Sequence, residues 1–446
     1  MDDRPFLPGC PGHLLYNLLL CAGIAFLSPA WIPWVLLSRK RRANFPERLG
    51  LRGVPSPASA ADGPVVWVHA VSVGETLAAV PLLNLLRSRL PGARLLVSNV
   101  TLTGRETTVK SLSGVIDRGF FFPFDLPGLC GRYLDRVRPD AVVIVETEIW
   151  PNFLAACASR RIPVVIVNGR LSKRSFAGYL RLRPFFAPIL RTLRAISAQT
   201  AEDADRFLAL GARRETVSVG GNLKFDVIPP GNGSSSLSAI LLREKEAGAL
   251  WFVAGSTHEG EEAILLRAYL AARSRNPSIR LLLAPRHPER FSSVEEMLRR
   301  EGVAVTRRTS IPDDGSVPPG NILLLDTVGE LSVAYAAAEL AFVGGSLVPK
   351  GGHNVLEPAW HGVPTIVGPH MENFREIADT FLAGKALLRV AGEPELAGRL
   401  ARFAADPGVF RETGRRAKEM LETGQGASAA GAELVEAALS GRTASR

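Results

Sequence analysis

The chain has 446 residues, a hydrophobic content of 46% and a formal net charge of +10. This length is enough for two or three domains with large buried cores, and the charge predicts anionic partners such as phosphates, acidic sugars or a membrane surface. The basic residues are dispersed, without zinc-finger spacing or a basic heptad region, so nucleic acid is not the expected partner. The cysteines lack CxxC spacing, which favours free thiols over a disulfide framework or zinc site. They are Cys10, Cys21, Cys130 and Cys157.

The first predicted element is an apolar segment, residues 14–37, which carries no charge. A helix of this length measures about 36 Å, enough to cross the hydrocarbon layer of a membrane. Four basic residues follow at 39–42, so the positive-inside rule places the rest of the chain in the cytoplasm. Pro29 and Pro33 weaken a straight helix, and a partly embedded hairpin or a cleaved signal peptide are the alternatives.

Beyond residue 60, short apolar runs alternate with amphipathic helical patterns, which predicts parallel sheets built from βαβ units. A turn-rich linker at 229–248 separates two such regions. We therefore predict an α/β fold of two Rossmann-like domains facing a cleft. Its parts are an anchor with a basic flank (1–42), an acceptor-binding domain (43–228) and a second domain with C-terminal helices (249–446). The predicted strands are 65–69, 94–100, 141–145, 164–167, 251–254, 279–284, 322–325, 340–343 and 364–367.

Glu75 follows a predicted strand and a glycine turn in the segment WVHAVSVGET. Open α/β sheets bind ligands at the edge where their strands end, so this carboxylate would lie in a ligand crevice. There it could take a proton from a hydroxyl nucleophile. The spacing of Ser72 and Glu75 also fits a capping box at the start of a helix, and the sequence leaves both interpretations open.

Further charged residues follow strands of the first region. Glu146 and Glu148, in IVETEIWPN, would share one face of an extended chain. Lys224, in GNLKFD, precedes the linker and could neutralise charge on a leaving phosphate. Each of these residues could instead be a solvated surface group.

The segment AFVGGSLVPKGGHNVLEP, residues 341–358, is the most informative part of the second region. A strand leads into Gly344 and Gly345, a second glycine pair follows, and a short helix is predicted from Asn354 with Glu357 in its first turn. Glycines permit close approach of a ligand, helix N–H groups suit a phosphate, and a carboxylate can accept ribose hydroxyls. The pattern predicts a nucleotide pocket, although Asn354 and Glu357 also have capping-box spacing.

Two further segments and one basic run bear on ligand binding. GSTHEGEE (255–262) and APRHPERF (284–291) place glycine, hydroxyl and basic groups after successive predicted strands, which strengthens the nucleotide interpretation. Seven basic residues interleave with aromatic ones between residues 170 and 194. This run predicts either a surface for lipid phosphates and acyl chains or a solvated helix face.

Ten motifs, in order, resemble the family of 3-deoxy-D-manno-octulosonic acid (Kdo) transferases over roughly residues 14–390. The resemblance implies an inverting GT-B glycosyltransferase on the cytoplasmic face of a Gram-negative inner membrane. Such enzymes move Kdo from CMP-Kdo to a lipid A precursor (lipid IVA), and neither a metal nor another cofactor is expected. The motifs are HAVSVGE, PFD, ETEIWPN, NGRLS, NLKFD, STHEGEE, PRHPERF, DTVGEL, FVGGSLVPKGGHNVLEPA and GPHMENF.

The resemblance also implies roles for individual residues. Glu75 matches the family's general base, and Glu146 and Lys224 match positions that support the transition state. The CMP contacts match Pro285, Arg286, Val328, Gly329, Glu330, Asn354, Val355, Leu356 and Glu357. Val355 stands where some relatives carry proline.

Two other classes of protein stay open at this point. One is another sugar-nucleotide enzyme, such as an epimerase or a nucleotide-linked oxidoreductase, although no GxGxxG follows the first strand. The other is a non-catalytic membrane lipid-binding protein, which would not explain the acids at the strand ends.

Overall fold

The computed structural model describes residues 6–56, 63–228 and 235–443. The chain forms two compact units, one of Met1–Val227 with Gly424–Arg446 and the other of Ile228–Thr423. The predicted second domain, 249–446, therefore differs from the observed unit, because the last residues return to the first unit. Residues 236–246 of the predicted linker form a helix. Linker residues 229–234 lie outside the described residues.

The first unit contains seven parallel strands in the order β3-β2-β1-β4-β5-β6-β7. Strand β1 is wholly buried, as expected for a parallel strand with helices on both faces of its sheet. The strands are β1 Val65–His69, β2 Arg94–Asn99, β3 Arg118–Phe121, β4 Ala141–Val145, β5 Val164–Gly169, β6 Ala195–Ala198 and β7 Val217–Val219.

Among the described residues, ten helices of the first unit precede the second unit in the chain. They are α1 Pro11–Phe26, α2 Ser28–Leu36, α3 Arg39–Arg48, α4 Val73–Arg89, α5 Leu102–Ser111, α6 Leu129–Val137, α7 Pro151–Ser159, α8 Lys173–Arg181, α9 Arg183–Leu190 and α10 Ala201–Leu210.

The second unit repeats this plan with seven parallel strands in the order β10-β11-β9-β8-β12-β13-β14. The strands are β8 Leu250–Thr257, β9 Ile279–Pro285, β10 Val305–Arg307, β11 Ile322–Leu324, β12 Leu340–Val343, β13 Thr365–Val367 and β14 Leu388–Arg389. The helices are α11 Ser236–Glu246, α12 Glu261–Arg273, α13 Phe291–Arg300, α14 Leu331–Ala337, α15 Leu356–Trp360, α16 Arg375–Ala383, α17 Glu393–Ala405 and α18 Arg411–Thr423.

The C-terminal helix, α19 Ala427–Thr443, packs against α4 and β5 of the first unit. The carboxylate of Asp226 fixes its start by accepting the backbone N–H groups of Gly426 at 2.8 Å and Ser428 at 2.6 Å. Val435 is fully buried in the apolar core that α19 shares with β1, β2, β4 and β5. This helix therefore completes one face of the first sheet.

The N-terminal apolar segment is not one straight helix. Among the described residues, no single helix is long and apolar enough to cross a membrane; α1 and α2 together have the required length and composition but are bent by 66°. Helix α1 is also bonded to the first unit. The Tyr16 hydroxyl donates to Asp125 at 3.0 Å, and the Asn152 amide donates to the Asn17 side chain at 2.8 Å.

The packing of α19 predicts that the C-terminal helix stabilises the first unit. Val435→Ala removes two buried methyl groups and should lower the free energy of unfolding by about 2 kcal/mol. The exposed Glu433 on the same helix provides the matched control. Glu433→Ala should change the free energy of unfolding by less than about 0.5 kcal/mol. Urea unfolding of both variants measures the difference. Equal stability of the two variants would mean that α19 contributes nothing to the core.

Candidate functional site

Each sheet has one point at which the order of connection reverses. Strand β1 lies between β2 and β4, and β8 lies between β9 and β12. In the first sheet, the connection after β1 leads in the opposite direction to the connection after β4. The same holds for β8 and β12 in the second sheet, and in each case a crevice is left at the carboxyl ends of the two strands. Ligands of open α/β sheets bind in this crevice. Glu75 and Glu146 follow the strands beside the first of these points, whereas Lys224 follows the edge strand β7.

Glu75 follows β1 in the first turn of α4 and fulfils the capping prediction. The Ser72 hydroxyl accepts the Glu75 N–H at 3.4 Å and donates to one carboxylate oxygen at 2.8 Å. The other carboxylate oxygen accepts the Val71 N–H at 2.7 Å. Each oxygen of a carboxylate has two acceptor positions, so these bonds leave room for a hydroxyl proton. The cap and the proposed base therefore coexist.

The electrostatic surroundings of Glu75 make it a stronger base than an exposed glutamate. Burial raises its pKa above the ordinary value, and the nearby negative charge of Glu146 adds to this effect. The hydrogen bonds from Val71 and Ser72 act in the opposite direction. A carboxylate with a raised pKa binds a proton more readily, which suits it to general-base catalysis.

Glu146 lies directly after β4 and pairs with two cations. Its carboxylate accepts from Arg170 Nε at 3.1 Å and lies 4.0 Å from Lys224 Nζ. Its backbone has φ of 64°, a left-handed conformation that costs free energy in a residue with a side chain. The structure thus brings together Glu146 and Lys224 as predicted, and it adds Arg170, which the sequence analysis counted only within the basic run.

Lys224 is held in place by two asparagine side chains. The Asn168 carboxamide oxygen accepts the Leu223 N–H at 3.0 Å, and that of Asn222 accepts the Lys224 N–H at 3.0 Å. Asn168 ends β5 with φ of 57°, a conformation that asparagine tolerates better than most residues. The resulting 3₁₀ turn, Leu223–Asp226, fixes the lysine beside the strand ends.

Glu148 is a further acid of the same cluster. Burial, together with the negative charges of Glu75 and Glu146, raises its pKa to about 7. Like charges in one partly buried site disfavour simultaneous ionisation. The cluster of Glu75, Glu146 and Glu148 therefore has a proton to exchange near neutral pH. The sequence analysis identified Glu148 at the strand end but gave it no role.

The residues of the predicted CMP site all follow strands of the second sheet. Pro285 ends β9 and Arg286 follows it, Val328 to Glu330 follow β11, and Asn354 to Glu357 follow β12. Because parallel strands end at the same edge, the fold gathers these three segments on one edge of the sheet. Arg286, Val328 and Gly329 are exposed there.

The glycine loop after β12 is held by a buried carboxylate. The fully buried Glu261 accepts the backbone N–H groups of Gly345, Ser346 and Leu347 at 2.8, 3.0 and 2.9 Å, so these groups are not free for a phosphate. A Cβ on Gly344 would lie 2.3 Å from the Ser256 carbonyl oxygen. Backbone packing therefore accounts for this glycine without a ligand.

Glu357 is less exposed than its predicted role at the opening of a helix suggests. Helix α15 begins at Leu356 rather than Asn354, and the Asn354 amide donates to Glu357 at 3.4 Å. Burial raises the Glu357 pKa, which the Asn354 bond and the Arg286 charge partly offset. The Asn354 side chain also accepts the Leu356 N–H at 3.1 Å. One carboxylate oxygen of Glu357 thus stays available for another donor.

The aromatic residues of the basic run are partly buried against the first unit. Phe176, Tyr179, Phe185 and Phe186 pack against the core of the first unit. The basic side chains of α8 and α9 have mixed exposure, with Arg181 exposed and Arg183 partly buried. In the described ranges, no group of three or more His, Cys, Asp or Glu side chains could hold a metal ion.

The chain is similar to proteins of one known family. Residues 43–227 match the family model described as 3-Deoxy-D-manno-octulosonic-acid transferase (kdotransferase). A 3-deoxy-D-manno-octulosonic acid transferase of Bordetella pertussis is 38% identical over 398 residues, covering 85% of this chain and 88% of that protein. A 3-deoxy-D-manno-octulosonic acid transferase of Haemophilus influenzae is 33% identical over 393 residues, covering 87% of this chain and 90% of that protein.

Solved structures similar to this chain support the fold. A UDP-GlcNAc 2-epimerase from Neisseria meningitidis, bound to UDP-GlcNAc, aligns with a TM-score of 0.52 over 84% of this chain and 99% of its own. Its sequence identity is 13%, so the likeness concerns the fold alone. The α/β architecture with two parallel sheets is that of GT-B glycosyltransferases, as predicted.

The raised pKa of Glu148 predicts a pH-dependent stability. Because the pKa of Glu148 is raised in the folded state, ionising it costs free energy there that it does not cost in the unfolded chain. The free energy of unfolding therefore falls as pH rises from about 4.5 to 7. Glu148→Gln removes this cost and should raise stability above pH 7 by about 1 kcal/mol, allowing for the partial exposure of Glu148. Thermal unfolding at pH 4.5 and 8 checks the effect. A variant equally stabilised at both pH values would contradict the assigned pKa.

Proposed function

This chain belongs to the 3-deoxy-D-manno-octulosonic acid transferase family, and we propose that it moves Kdo from CMP-Kdo to a lipid A precursor such as lipid IVA, with inversion at the anomeric carbon. The observation that carries the proposal is the cluster of Glu75, Glu146, Lys224 and Arg170 at the switch point of the first sheet. It combines a carboxylate base with two cations that are oriented by a second carboxylate.

The chemistry of transfer requires both parts of this cluster. The acceptor hydroxyl must lose a proton as its oxygen attacks the anomeric carbon, and Glu75 accepts that proton. The bond from the anomeric carbon to the CMP phosphate breaks on the opposite side, which inverts the centre. Negative charge then grows on the phosphate, and Lys224, held by Glu146, stabilises it.

The donor residues of the second unit complete the proposal. Arg286 supplies a positive charge for the phosphate, and Glu357 accepts hydroxyls of the ribose through its free carboxylate oxygen. Pro285, Val328, Gly329, Glu330, Asn354, Val355 and Leu356 form the rest of the proposed CMP contacts. The Glu330 carboxylate accepts a hydrogen bond from the Thr327 hydroxyl at 2.5 Å and lies 3.4 Å from Arg308 Nε. Both contacts orient it before a ligand binds. Such preorganisation favours binding because the side chain loses less conformational entropy when the ligand binds.

A lipid acceptor requires the protein to meet a membrane. We propose that α1 and α2 hold the chain at the cytoplasmic face of the inner membrane, where anionic lipids attract its positive charge. Several apolar side chains of these helices are exposed, including Leu18 (67%), Leu19 (63%) and Phe26 (84%). Exposed apolar groups in one region support contact with a lipid surface.

The general-base role of Glu75 can be separated from its capping role. Glu75→Gln keeps an oxygen and an amide at the cap but cannot accept a proton, so transfer should fall by at least about 100-fold while stability changes little. Ser72→Ala is the matched control, because it removes the cap hydroxyl and should cost about 1 kcal/mol of stability with the base retained. Near-normal turnover of Glu75→Gln would restrict this residue to capping.

The donor role of Glu357 predicts a change in binding. Glu357→Ala should weaken CMP affinity by about 1–3 kcal/mol, because a ribose hydroxyl loses its acceptor. Glu372→Ala, at a partly exposed residue of the same unit, serves as the control and should leave affinity unchanged. Calorimetric titration with CMP compares them. Unchanged affinity in a folded Glu357→Ala protein would mean that the carboxylate only contacts Asn354.

The proposed mechanism uses side-chain cations for the leaving phosphate. Prolonged treatment with EDTA, followed by its removal, should therefore leave the rate of Kdo transfer unchanged. The control is the same preparation supplied with Mg²⁺ after treatment. A loss of activity that Mg²⁺ restores would contradict a metal-independent reaction.

A further inference from the structure

Two histidines from distant parts of the chain meet at the switch point of the second sheet. His258 follows β8 and His353 follows β12, and their Nε2 atoms are 2.8 Å apart. The ring planes differ by 9° and the ring centres are 5.1 Å apart. That separation equals the nitrogen contact plus one ring radius on each side, so the rings are coplanar and meet edge to edge. This is the geometry of an N–H···N hydrogen bond.

The contact fixes the number of protons between the rings at one. One Nε2 must carry the proton and donate, and the other must accept through its lone pair. In the neutral pair, the accepting ring carries its own proton on Nδ1, whereas the Nδ1 of the donating ring is bare. Over the part of the chain that the structure describes, neither Nδ1 has a hydrogen-bond partner. Both atoms are therefore available to a ligand.

The fold is built around this pair. The backbone N–H of His258 is held by Glu261 at 2.9 Å, and the same carboxylate holds the loop from Gly345 to Leu347. A Cβ on Gly345 would lie 3.1 Å from the His353 ring and 3.4 Å from the His258 ring. Gly345 has φ of 67°, which favours glycine. The pair thus sits directly on the glycine loop.

The surroundings of the pair are predominantly cationic. Burial and neighbouring positive groups lower the pKa of His353 to about 4 and also lower that of His258. Glu262 offsets only part of this for His258, because it is paired with Arg290 at 2.6 Å, and Glu261 is bonded to four N–H groups. The neighbouring positive or titratable groups are Arg286, His287, Arg290 and Lys350.

We propose that His258 and His353 form an anion subsite for the sugar-nucleotide donor and take up one proton when the anion binds. This inference rests on the proposed donor and deepens it. An anionic oxygen beside one Nδ1 favours the charged form, in which that Nδ1 carries a proton and donates it to the anion. The phosphate of CMP and the carboxylate of Kdo share this chemistry.

Proton uptake makes donor affinity depend on pH. The free pair is neutral above its depressed pKa, whereas the bound pair is protonated up to a higher pKa. Between these two values, affinity should fall as pH rises, by up to about tenfold per pH unit for one proton. Above the higher value, the dependence should vanish.

Calorimetric titration of the full-length protein with CMP, in buffers of different ionisation enthalpy, measures the protons taken up. We expect uptake approaching one proton for the wild type at pH values between the free and the bound pKa, and little in the His258→Gln and His353→Gln variants, whose affinity should fall by about tenfold or more. His361→Gln, at a histidine of the same unit bonded to Ser332, is the matched control and should behave as the wild type. Histidine NMR spectra of the unaltered protein, with and without CMP, report the same protonation.

Titrations with different ligands distinguish the phosphate of CMP from the carboxylate of Kdo as the anion that the histidine pair binds. Uptake with CMP but not with cytidine assigns the phosphate, and uptake only when Kdo accompanies CMP assigns the carboxylate. CMP binding without proton uptake in either arm overturns the anion subsite but leaves the proposed function intact. Failure of CMP to bind the folded wild type overturns both.

Discussion

The reversal of strand order beside β1 and β8 is the constraint on which the rest of this molecule depends. Right-handed crossovers send the chain to one side of the central strand first and to the other side later. The loop after β1 therefore diverges from the loop after β4, and the loop after β8 diverges from the loop after β12. Between the diverging loops, no helix of the described residues packs over the ends of the strands, so backbone groups and side chains there are accessible. Glu75 and Glu146 occupy this position in the first sheet, and His258 and His353 occupy it in the second.

Buried carboxylates organise both edges. Glu261 collects four backbone N–H groups, Asp226 holds the start of α19, and Glu75 closes the turn before α4. A buried charge is tolerated only when hydrogen bonds replace its lost hydration. These bonds hold loops rigidly at the strand ends, so that groups such as Lys224 and His353 are positioned before a ligand arrives. Rigid placement of charge is the main source of electrostatic catalysis.

The sequence predicted the central strands well and the edges poorly. Strands β1, β4 and β12 coincide with continuous apolar runs, because both of their faces are buried. The edge strand β7 is partly exposed and too short to produce such a run. The site acids were predictable because each lies in the loop or first helical turn after a strand. The His258–His353 contact was not, because it joins residues 95 apart that carry no local signal.

The glycine loop illustrates why sequence alone can misassign a role. The glycines were expected to let a ligand approach closely, but Glu261 of α12 binds three backbone N–H groups of this loop. A long-range partner cannot be identified from a local pattern. What the local pattern did identify are Arg286 and Glu357, which the fold places at the same edge of the second sheet.

The most direct test of the central claim is the release of CMP from CMP-Kdo by the purified protein, with and without a detergent-dispersed lipid A precursor. Acceptor-dependent release, matched by an equal amount of Kdo on the lipid, is the predicted result. CMP release that is equally fast without the acceptor, or no release with it, would contradict the assignment as a lipid-directed Kdo transferase.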